Sequence, residues 1–303
     1  MKKLVECIPN FSEGRNPEVI AQIIKSITDI PDTILLDQES DPDHNRSVIT
    51  FAGSPEAVFE AAFQAIKKAQ ELIDLDVHRG EHPRMGATDV CPFVPLKGVT
   101  VEECIEWVKK LGERVGRELE IPVYLYEKTA TRKERENLAD VRKGEYEGIK
   151  VEIEKNPDRT PDYGPSKLGK AGAIAIGVRE PLVAYNVNLD TNDLSIAKKI
   201  AKKIRFKDGG FPYVKALGFT LEDKGIVQVS MNLTNYKETN VHVVFDAIKK
   251  EAKKYGVKIL ESELIGLIPE SALIAAAKHY LKITDFKNSQ ILEQNLQEKL
   301  EEF

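Results

Sequence analysis

The stretch Leu182-Val183-Ala184-Tyr185-Asn186-Val187-Asn188-Leu189 decides the fold of this chain. Large apolar side chains alternate along it with alanine and amides, which is the period of two that is typical of a β-strand. The segments after it alternate between helical and strand patterns. They are predicted as helix Asn192–Ile204, strands Val214–Phe219 and Ile226–Leu233, helix Asn240–Tyr255 and strand Val257–Leu267. This βαββαβ order predicts a ferredoxin-like arrangement.

The first half of the chain supports a similar order with additional helices. Strand patterns cover Lys3–Ile8, Thr33–Asp37, Ser47–Ala52 and Val123–Tyr126, and a polar stretch, Glu39–Arg46, separates the middle two. Helix starts are indicated by Asn16-Pro17, by Ser54-Pro55 and by the capping-box pair Thr100 and Glu103. The sequence therefore predicts an α/β (α+β) protein built from two ferredoxin-like βαββαβ subdomains.

A segment rich in glycine and proline separates the two halves. Residues 156–172 contain three prolines and three glycines, which predicts a loop with special backbone geometry. We place the domain boundary shortly after it, so that the predicted domains are residues 1–178 and 179–303.

Charge and cysteine content exclude several classes of protein. The 303 residues include 44 Lys and Arg against 49 Asp and Glu, a net charge of −5 without a basic tail, so nothing indicates a nucleic-acid partner. No stretch approaches the ~18 apolar residues of a membrane span. The three cysteines show no Cys-x-x-Cys spacing, which argues against a disulfide framework or a thiolate zinc site and suits a reducing compartment. We therefore expect a cytoplasmic protein.

The window 76–86 carries the densest set of reactive side chains. Its His-x-x-Glu-His matches an inverted zinc-peptidase pattern, which works only on a helix. Gly80 inside the pattern and Pro83 directly after it disfavour a helix, so we predict a loop without a metal. Such a loop would instead present His82 as an imidazole that transfers protons near neutral pH.

A second window, Gly164–Lys170, matches most of a phosphate-loop pattern. Ala171 stands where that pattern needs a hydroxyl for Mg²⁺, so the match does not predict an NTPase. Backbone N–H groups freed by glycine, beside Lys167 and Lys170, suit an anionic ligand that carries carboxylates. The alternative is a flexible linker between the domains.

Amides and a hydroxyl occupy one face of two predicted strands. The face carries Ala184, Asn186 and Asn188 on one strand and Gln228, Ser230 and Asn232 on the other. A solvent-facing strand in so charged a chain would show Lys and Glu, so this face is predicted to line a cleft for a polar ligand. The alternative is a face covered by the other subdomain.

Four parts of the chain resemble glutamate formimidoyltransferases, in the order in which that family carries them. They are residues 4–14 (LVECIPNFSEG), 78–86 with 89–93 (DVCPF), 162–166 (DYGPS) and 227–233 (VQVSMNL). The resemblance covers nearly the whole chain. It implies two αβ subdomains with folate bound in a cleft between them, and a homodimer.

The activity implied by the resemblance is transfer of the formimino group from N-formimino-L-glutamate to tetrahydrofolate, a step of histidine degradation and one-carbon metabolism. Tetrahydrofolate is then the co-substrate and no metal is required. Two other functions stay open, a non-catalytic folate-binding protein of the same fold and a formyl transferase. Because the sequence ends after the transferase segment, release of ammonia from the product would need a separate cyclodeaminase.

The resemblance also implies roles for His82 and for the glycine-rich window, and the proposed chemistry adds further candidates. His82 would be the catalytic acid–base residue. The expected folate-binding residues are Gly164, Pro165, Ser166, Lys167, Leu168, Gly169, Lys170, Ala171 and Gly172. The residues expected to support acid–base chemistry or to bind substrate are Glu39, Asn45, Arg46, Glu81, Arg84 and Arg179, with the arginines as candidates for carboxylate binding.

Overall fold

The computed structural model describes residues 3–302, apart from the side chains of residues 297, 298, 301 and 302. The chain divides into two units between Glu180 and Pro181. No helix in the described part of the chain is both long and apolar enough to cross a membrane.

The first unit is a mixed sheet with helices. Its strands are β1 (Leu4–Cys7), β2 (Asn10–Phe11), β3 (Thr33–Asp41), β4 (Arg46–Gly53), β5 (Thr88–Lys97), β6 (Val123–Glu127) and β7 (Ile174–Val178). Its helices are α1 (Pro17–Thr28), α2 (Pro55–Leu72), α3 (Val101–Glu118), α4 (Leu138–Val141) and α5 (Glu145–Glu152). Across the sheet, β3 pairs with β4, and β5 is followed by β7 and then β6. The short strands β1 and β2 both lie between β4 and β5.

The segment from β1 to β5 forms the predicted ferredoxin-like core, in which all neighbouring strands are antiparallel. Strands β7 and β6 extend this core beyond β5 as parallel neighbours.

Helices α1 and α3 begin at the residues that the sequence predicted. The Asn16 side chain accepts the N–H groups of Glu18 and Val19 at the start of α1, and Thr100 and Glu103 form the expected capping box of α3.

Strand β3 is longer than predicted. It continues through the polar residues to Asp41, because Glu39 pairs with Val48 and Asp41 pairs with Arg46 across the hairpin. The polar connection is therefore reduced to residues 42–45, and Asn45 closes it with a positive φ of 48°. As a consequence Glu39 lies on a strand and Arg46 at the start of the next one.

The second unit confirms the βαββαβ order. It contains β8 (Val183–Leu189), α6 (Leu194–Ile204), β9 (Val214–Leu221), β10 (Ile226–Leu233), α7 (Val241–Lys254) and β11 (Ile259–Ile265), followed by α8 (Glu270–Leu281) and α9 (Leu292–Glu302). The antiparallel sheet has the order β11, β8, β10, β9. Apolar residues of β8 and β10 pack with those of α6 and α7 in a core of their own.

Candidate functional site

One end of the first sheet gathers the two windows singled out in the sequence. Ser47, Phe11 and Thr88 align across β4, β2 and β5, so Arg46 and the loop before β5 lie at the same edge. Strand β7 runs parallel to β5, which brings the loop before β7 to that edge as well. The histidine loop (residues 73–87) and the glycine loop (residues 164–173) are therefore neighbours.

Backbone hydrogen bonds join these two loops directly. The Ala87 N–H donates to the Ala171 carbonyl at 2.8 Å, and the Ala173 N–H donates to the Met85 carbonyl at 2.9 Å. Gly172 has a φ of +70°, and a Cβ on it would lie 2.3 Å from the Met85 carbonyl oxygen. Only glycine fits such a close approach at positive φ, so Gly172 has a structural role in holding the loops together.

His82 lies on the irregular part of the histidine loop, as predicted, and contacts an arginine. Its Nε2 is 2.6 Å from Nη1 of Arg46. A guanidinium has no acceptor, so the imidazole accepts this hydrogen bond and carries its own proton on Nδ1. Burial, followed by the charges of Arg46, Arg142 and His44, lowers the pKa of His82 to about 3. The ring is therefore neutral throughout the physiological range, with its Nε2 lone pair occupied by Arg46.

Arg142 is a member of this cluster that sequence reasoning missed. It caps the C-terminus of α4, and its Nη2 lies 2.5 Å from Oδ2 of Asp89. Asp89 is almost fully buried at the start of β5 and also accepts the Met85 N–H at 2.8 Å. Burial raises the pKa of Asp89 even though Arg142 acts in the opposite direction. No motif surrounds Arg142, so only the tertiary structure reveals it.

Two polar atoms near this cluster lack hydrogen-bond partners among the described residues. They are Oγ1 of Thr88 and Nε of Arg142, both buried. Buried polar atoms in native proteins are nearly always satisfied, so these two mark a place that a polar ligand or water would complete. Arg46 and Arg142 are the cationic groups here, and the charges of Asp89, Asp41 and Glu39 act on Arg46 from around it. A guanidinium is suited to bind a carboxylate through paired N–H donors.

His78, the other histidine of the loop, has a structural role. Its Nε2–H donates to the Asn45 carbonyl at 3.0 Å, and its Nδ1 accepts from Nε of Arg84 at 3.3 Å. The Asn45 side chain accepts the Gly14 N–H at 2.9 Å and donates to the Arg79 carbonyl at 2.9 Å. These contacts fix the histidine loop against the β3–β4 hairpin, so Asn45 positions the site.

Arg84 is engaged within the protein. Its two Nη atoms bind Glu147 in a bidentate pair at 2.8 and 2.7 Å, and Nη1 also lies 3.3 Å from Glu145. The guanidinium thereby attaches the histidine loop to the start of α5. Because Glu147 already binds both terminal nitrogens of the guanidinium, Arg84 is better suited to holding the loop than to binding a substrate carboxylate.

The remaining predicted residues lie at different distances from the cluster. The charge of Glu39 acts on Arg46 from strand β3. Glu81 is exposed, and its N–H donates to the Asp43 carbonyl at 3.2 Å. Arg179 follows the far end of β7, where its N–H donates to the Phe93 carbonyl at 3.0 Å. Because the histidine loop precedes β5, Arg179 and His82 lie at opposite ends of the first sheet.

The glycine loop combines buried and exposed side chains. Leu168 and Ala171 are buried in the core, whereas Lys167 is exposed. Nζ of Lys170 lies 2.7 Å from Oδ2 of Asp74 in the histidine loop. The loop is thus anchored at its apolar residues and leaves Lys167 available to an external anion.

The start of the glycine loop is fixed by a buried ion pair. Nη1 of Arg135 lies 2.6 Å from Oδ2 of Asp162, which also accepts the Leu125 N–H at 2.8 Å.

Among the described residues no group of three or more His, Cys, Asp or Glu side chains is placed to hold a metal ion.

Comparisons with known proteins agree with this arrangement. The family model "Formiminotransferase domain, N-terminal subdomain" matches residues 4–179, and "Formiminotransferase domain" matches residues 184–300. The chain is 53% identical over 98% of its length, and 99% of the relative's, to "Glutamate formimidoyltransferase" of Streptococcus pyogenes serotype M1. It is 51% identical to a relative of the same name from Thermoplasma acidophilum, over 97% of each chain.

A longer relative shares the same region. "Formimidoyltransferase-cyclodeaminase" of Mus musculus is 43% identical over 92% of this chain, which spans 53% of that relative. The fold and these matches define an enzyme that transfers a one-carbon group. The chain belongs to the formiminotransferase family.

Proposed function

We propose that this protein transfers the formimino group from N-formimino-L-glutamate to N5 of tetrahydrofolate, with His82 as the acid–base residue. The observation that carries the proposal is a histidine loop braced against the glycine loop, in a chain 53% identical to a relative named for this transfer. The N5 amine adds to the formimino carbon, and the bond from that carbon to the glutamate nitrogen then breaks. His82 takes the proton from N5 and delivers a proton to the departing nitrogen.

The substrate supplies the nucleophile, so the protein's main tasks are orientation and proton transfer. Arg46 and Arg142 are proposed to bind a carboxylate of the glutamate moiety. A carboxylate on Arg46 would withdraw its guanidinium from His82 and so free the Nε2 lone pair. The same negative charge would offset the two arginines that lower the pKa of His82. Asn45 and Arg84 are proposed as positioning residues, and Glu39 as an electrostatic partner of Arg46.

Replacing Arg46 by Gln is expected to raise the pKa of His82 from about 3 towards its ordinary value, because one of the two arginine charges that depress it is removed. Titration of the His82 ring signals by NMR measures this. Glutamate added to the wild-type protein should move the pKa in the same direction. His78, whose contacts to Asn45 and Arg84 are unchanged, serves as the internal control. A His82 pKa that stays near 3 in the Arg46→Gln variant would remove Arg46 from the proposed activation.

The glycine loop, residues 164–172, is proposed to bind folate, with its lysines holding the acidic tail. Lys167→Ala is expected to weaken folate binding by about 1.5- to 5-fold, as for an exposed charge pair, and more strongly at low ionic strength. Lys170→Ala is the matched control and should have a smaller effect, since Asp74 already offsets its charge. The maximal rate at saturating folate should be nearly unchanged in both. A collapse of that rate with unchanged affinity would instead make the lysines catalytic.

The proposed activity is tested by a turnover assay that offers N-formimino-L-glutamate and N-formyl-L-glutamate in parallel with tetrahydrofolate. Product formed from the formimino donor at a substantially higher kcat/KM supports the proposal. Preference for the formyl donor would assign a formyl transferase, and folate binding without turnover of either donor would assign a binding protein.

The proposal includes a cytoplasmic homodimer with subdomains 1–178 and 179–303, with no nucleic-acid or membrane partner. The homodimer is supported by strand β3 at the edge of the first sheet, on which Ile34, Leu35 and Leu36 are exposed. An apolar outer strand is a surface that proteins commonly cover, because its free backbone groups can pair with another chain.

A further inference from the structure

The peptide that joins Pro83 to Arg84 makes a second contact to the His82 ring. The Pro83 backbone forms a hydrogen bond with the imidazole. Proline has no N–H, so the bonded group is its carbonyl, which accepts. Because Nε2 of His82 already accepts from Arg46, the donor to Pro83 is Nδ1–H. The Pro83 carbonyl therefore favours the tautomer that keeps a lone pair on Nε2.

The other side of the same peptide contacts Glu145. The bond is trans, so the Arg84 N–H points away from the Pro83 carbonyl, and it lies 3.4 Å from Oε2 of Glu145. The Arg84 carbonyl in turn accepts the Tyr146 N–H at 2.9 Å. Both backbone groups of Arg84 are thus bound by consecutive residues at the start of α5. These two contacts set the direction of the Pro83 carbonyl.

Glu145 has an unusual backbone conformation. Its φ is +54°, and it directly follows Gly144 at +86°. Glycine adopts such angles freely, whereas a residue with a side chain rarely does. The Glu145 N–H donates to the Arg142 carbonyl at 2.8 Å, so this turn also carries Arg142. Strained residues of this kind cluster at functional sites, and a carboxylate where glycine fits best indicates a role for the side chain.

The guanidinium of Arg84 does not account for this carboxylate. Glu147 already binds both of its terminal nitrogens, at 2.8 and 2.7 Å. Glu145 reaches Nη1 only at 3.3 Å, through the same Oε2 that faces the Arg84 N–H. The bidentate pair is complete without Glu145. Contact with the backbone N–H is therefore what distinguishes Glu145 from Glu147.

We propose that Glu145 is a positioning residue for His82 and acts on the ring through the Pro83–Arg84 peptide. This inference rests on the proposed function. A carboxylate at the N–H makes the carbonyl oxygen of the same peptide a stronger acceptor, because linked hydrogen bonds polarise one another. A stronger acceptor for Nδ1–H fixes the tautomer and makes Nε2 a stronger base. When a substrate carboxylate draws Arg46 away, this contact alone holds the ring ready to take a proton.

The first test measures the tautomer of His82 by ¹⁵N NMR of the ring at about pH 8, where an ordinary histidine is neutral. Arg46→Met removes the donor at Nε2, so that the choice of tautomer depends on the Pro83 carbonyl. This variant should keep the proton on Nδ1. Adding Glu145→Gly should give a mixture with the Nε2–H form. Adding Glu147→Gln instead is the matched control and should keep the proton on Nδ1.

The second test uses steady-state kinetics with Arg46 in place. Glu145→Gly should lower kcat by about 10-fold or more, the factor expected for a lost hydrogen bond to a charged group, with KM for both substrates nearly unchanged. Its melting temperature should stay within about 3 °C of the wild-type value, because glycine relieves the positive φ. Glu145→Gln can still accept the Arg84 N–H and should lose less than about 3-fold in kcat.

Three outcomes would overturn the inference. The first is a proton that stays on Nδ1 in the Arg46→Met, Glu145→Gly variant. The second is an unchanged kcat in Glu145→Gly. The third is a kcat that falls only together with the melting temperature, which would make the role of Glu145 purely structural. Absence of formimino transfer by the wild-type protein would contradict the proposed function alone, since the tautomer is measured without turnover.

Discussion

His82→Asn is expected to lower the rate of formimino transfer by about 10²–10⁴-fold, the usual contribution of a positioned acid–base residue. Asparagine keeps a polar side chain, although it is shorter than the ring, and it cannot carry a proton between N5 and the departing nitrogen. Folate affinity should be retained, because the glycine loop is held by backbone hydrogen bonds to residues 85 and 87. Steady-state kinetics at saturating folate, together with calorimetric folate binding, measure both quantities.

The other histidines are the controls for this variant. His242 and His279 stack on each other in the second unit with ring centroids 4.7 Å apart, and their replacement should leave the rate nearly unchanged. His78→Asn should cost stability more than rate, because His78 joins Asn45 to Arg84. If His82→Asn kept more than a tenth of the wild-type rate while His78→Asn was inactive, the catalytic assignment would have to move to His78.

The second unit could be predicted from the sequence because its patterns are local. Strands β8 and β10 alternate apolar residues with small or polar ones, and helices α6 and α7 each have one apolar face. Boundaries agree within two residues, as for the helix predicted at Asn240–Tyr255 and observed at Val241–Lys254. A ferredoxin-like sheet then follows from the order of the elements alone. The amides on one face of this sheet were also visible in the sequence, but their hydrogen bonds to Glu263 were not, since these depend on strand register.

The central part of the first sheet was harder to predict. Strand β5 contains Pro92 and Pro95, and proline is rare inside a central strand because it lacks an N–H donor. Strand β7 is a short, fully buried run of five residues directly after the glycine loop, where no alternation is present. These two strands are the ones that bring the histidine and glycine loops together. Their adjacency, and the presence of Arg142 beside His82, therefore required the structure.

The electrostatic state of His82 also lay beyond the sequence. An imidazole in a loop near Glu81 was expected to titrate near neutral pH. Instead the fold places Arg46 and Arg142 beside it, and the charged residues closest in sequence, Glu81 and Arg84, point to other partners or to solvent. Spacing along the chain does not determine which charges surround a half-buried ring, because that depends on contacts between strands and loops distant in sequence.

Arg142→Met is expected to destabilise the folded protein by about 3–5 kcal/mol, the typical cost of leaving one member of a buried ion pair without its partner. Asp89 is 2% exposed, and Arg142 is the only arginine that its carboxylate contacts directly among the described residues. Methionine keeps much of the volume of the arginine side chain, so the loss comes from the charge. The free energy of unfolding in urea at pH 7 measures this loss.

A second substitution separates charge from packing. In the double variant Arg142→Met with Asp89→Asn, neither charge of the pair remains, and the amide oxygen can still accept the Met85 N–H. Most of the lost stability should return, as a double-mutant cycle would show. In the single variant the carboxyl has a pKa raised above its unfolded value. The missing stability should therefore be small near pH 4 and grow as the pH rises, because only the unfolded state then releases the proton readily. Two outcomes would contradict this role of the Asp89–Arg142 pair. One is a loss of less than about 1 kcal/mol in the free energy of unfolding of the single variant. The other is an equal loss in the single and the double variant.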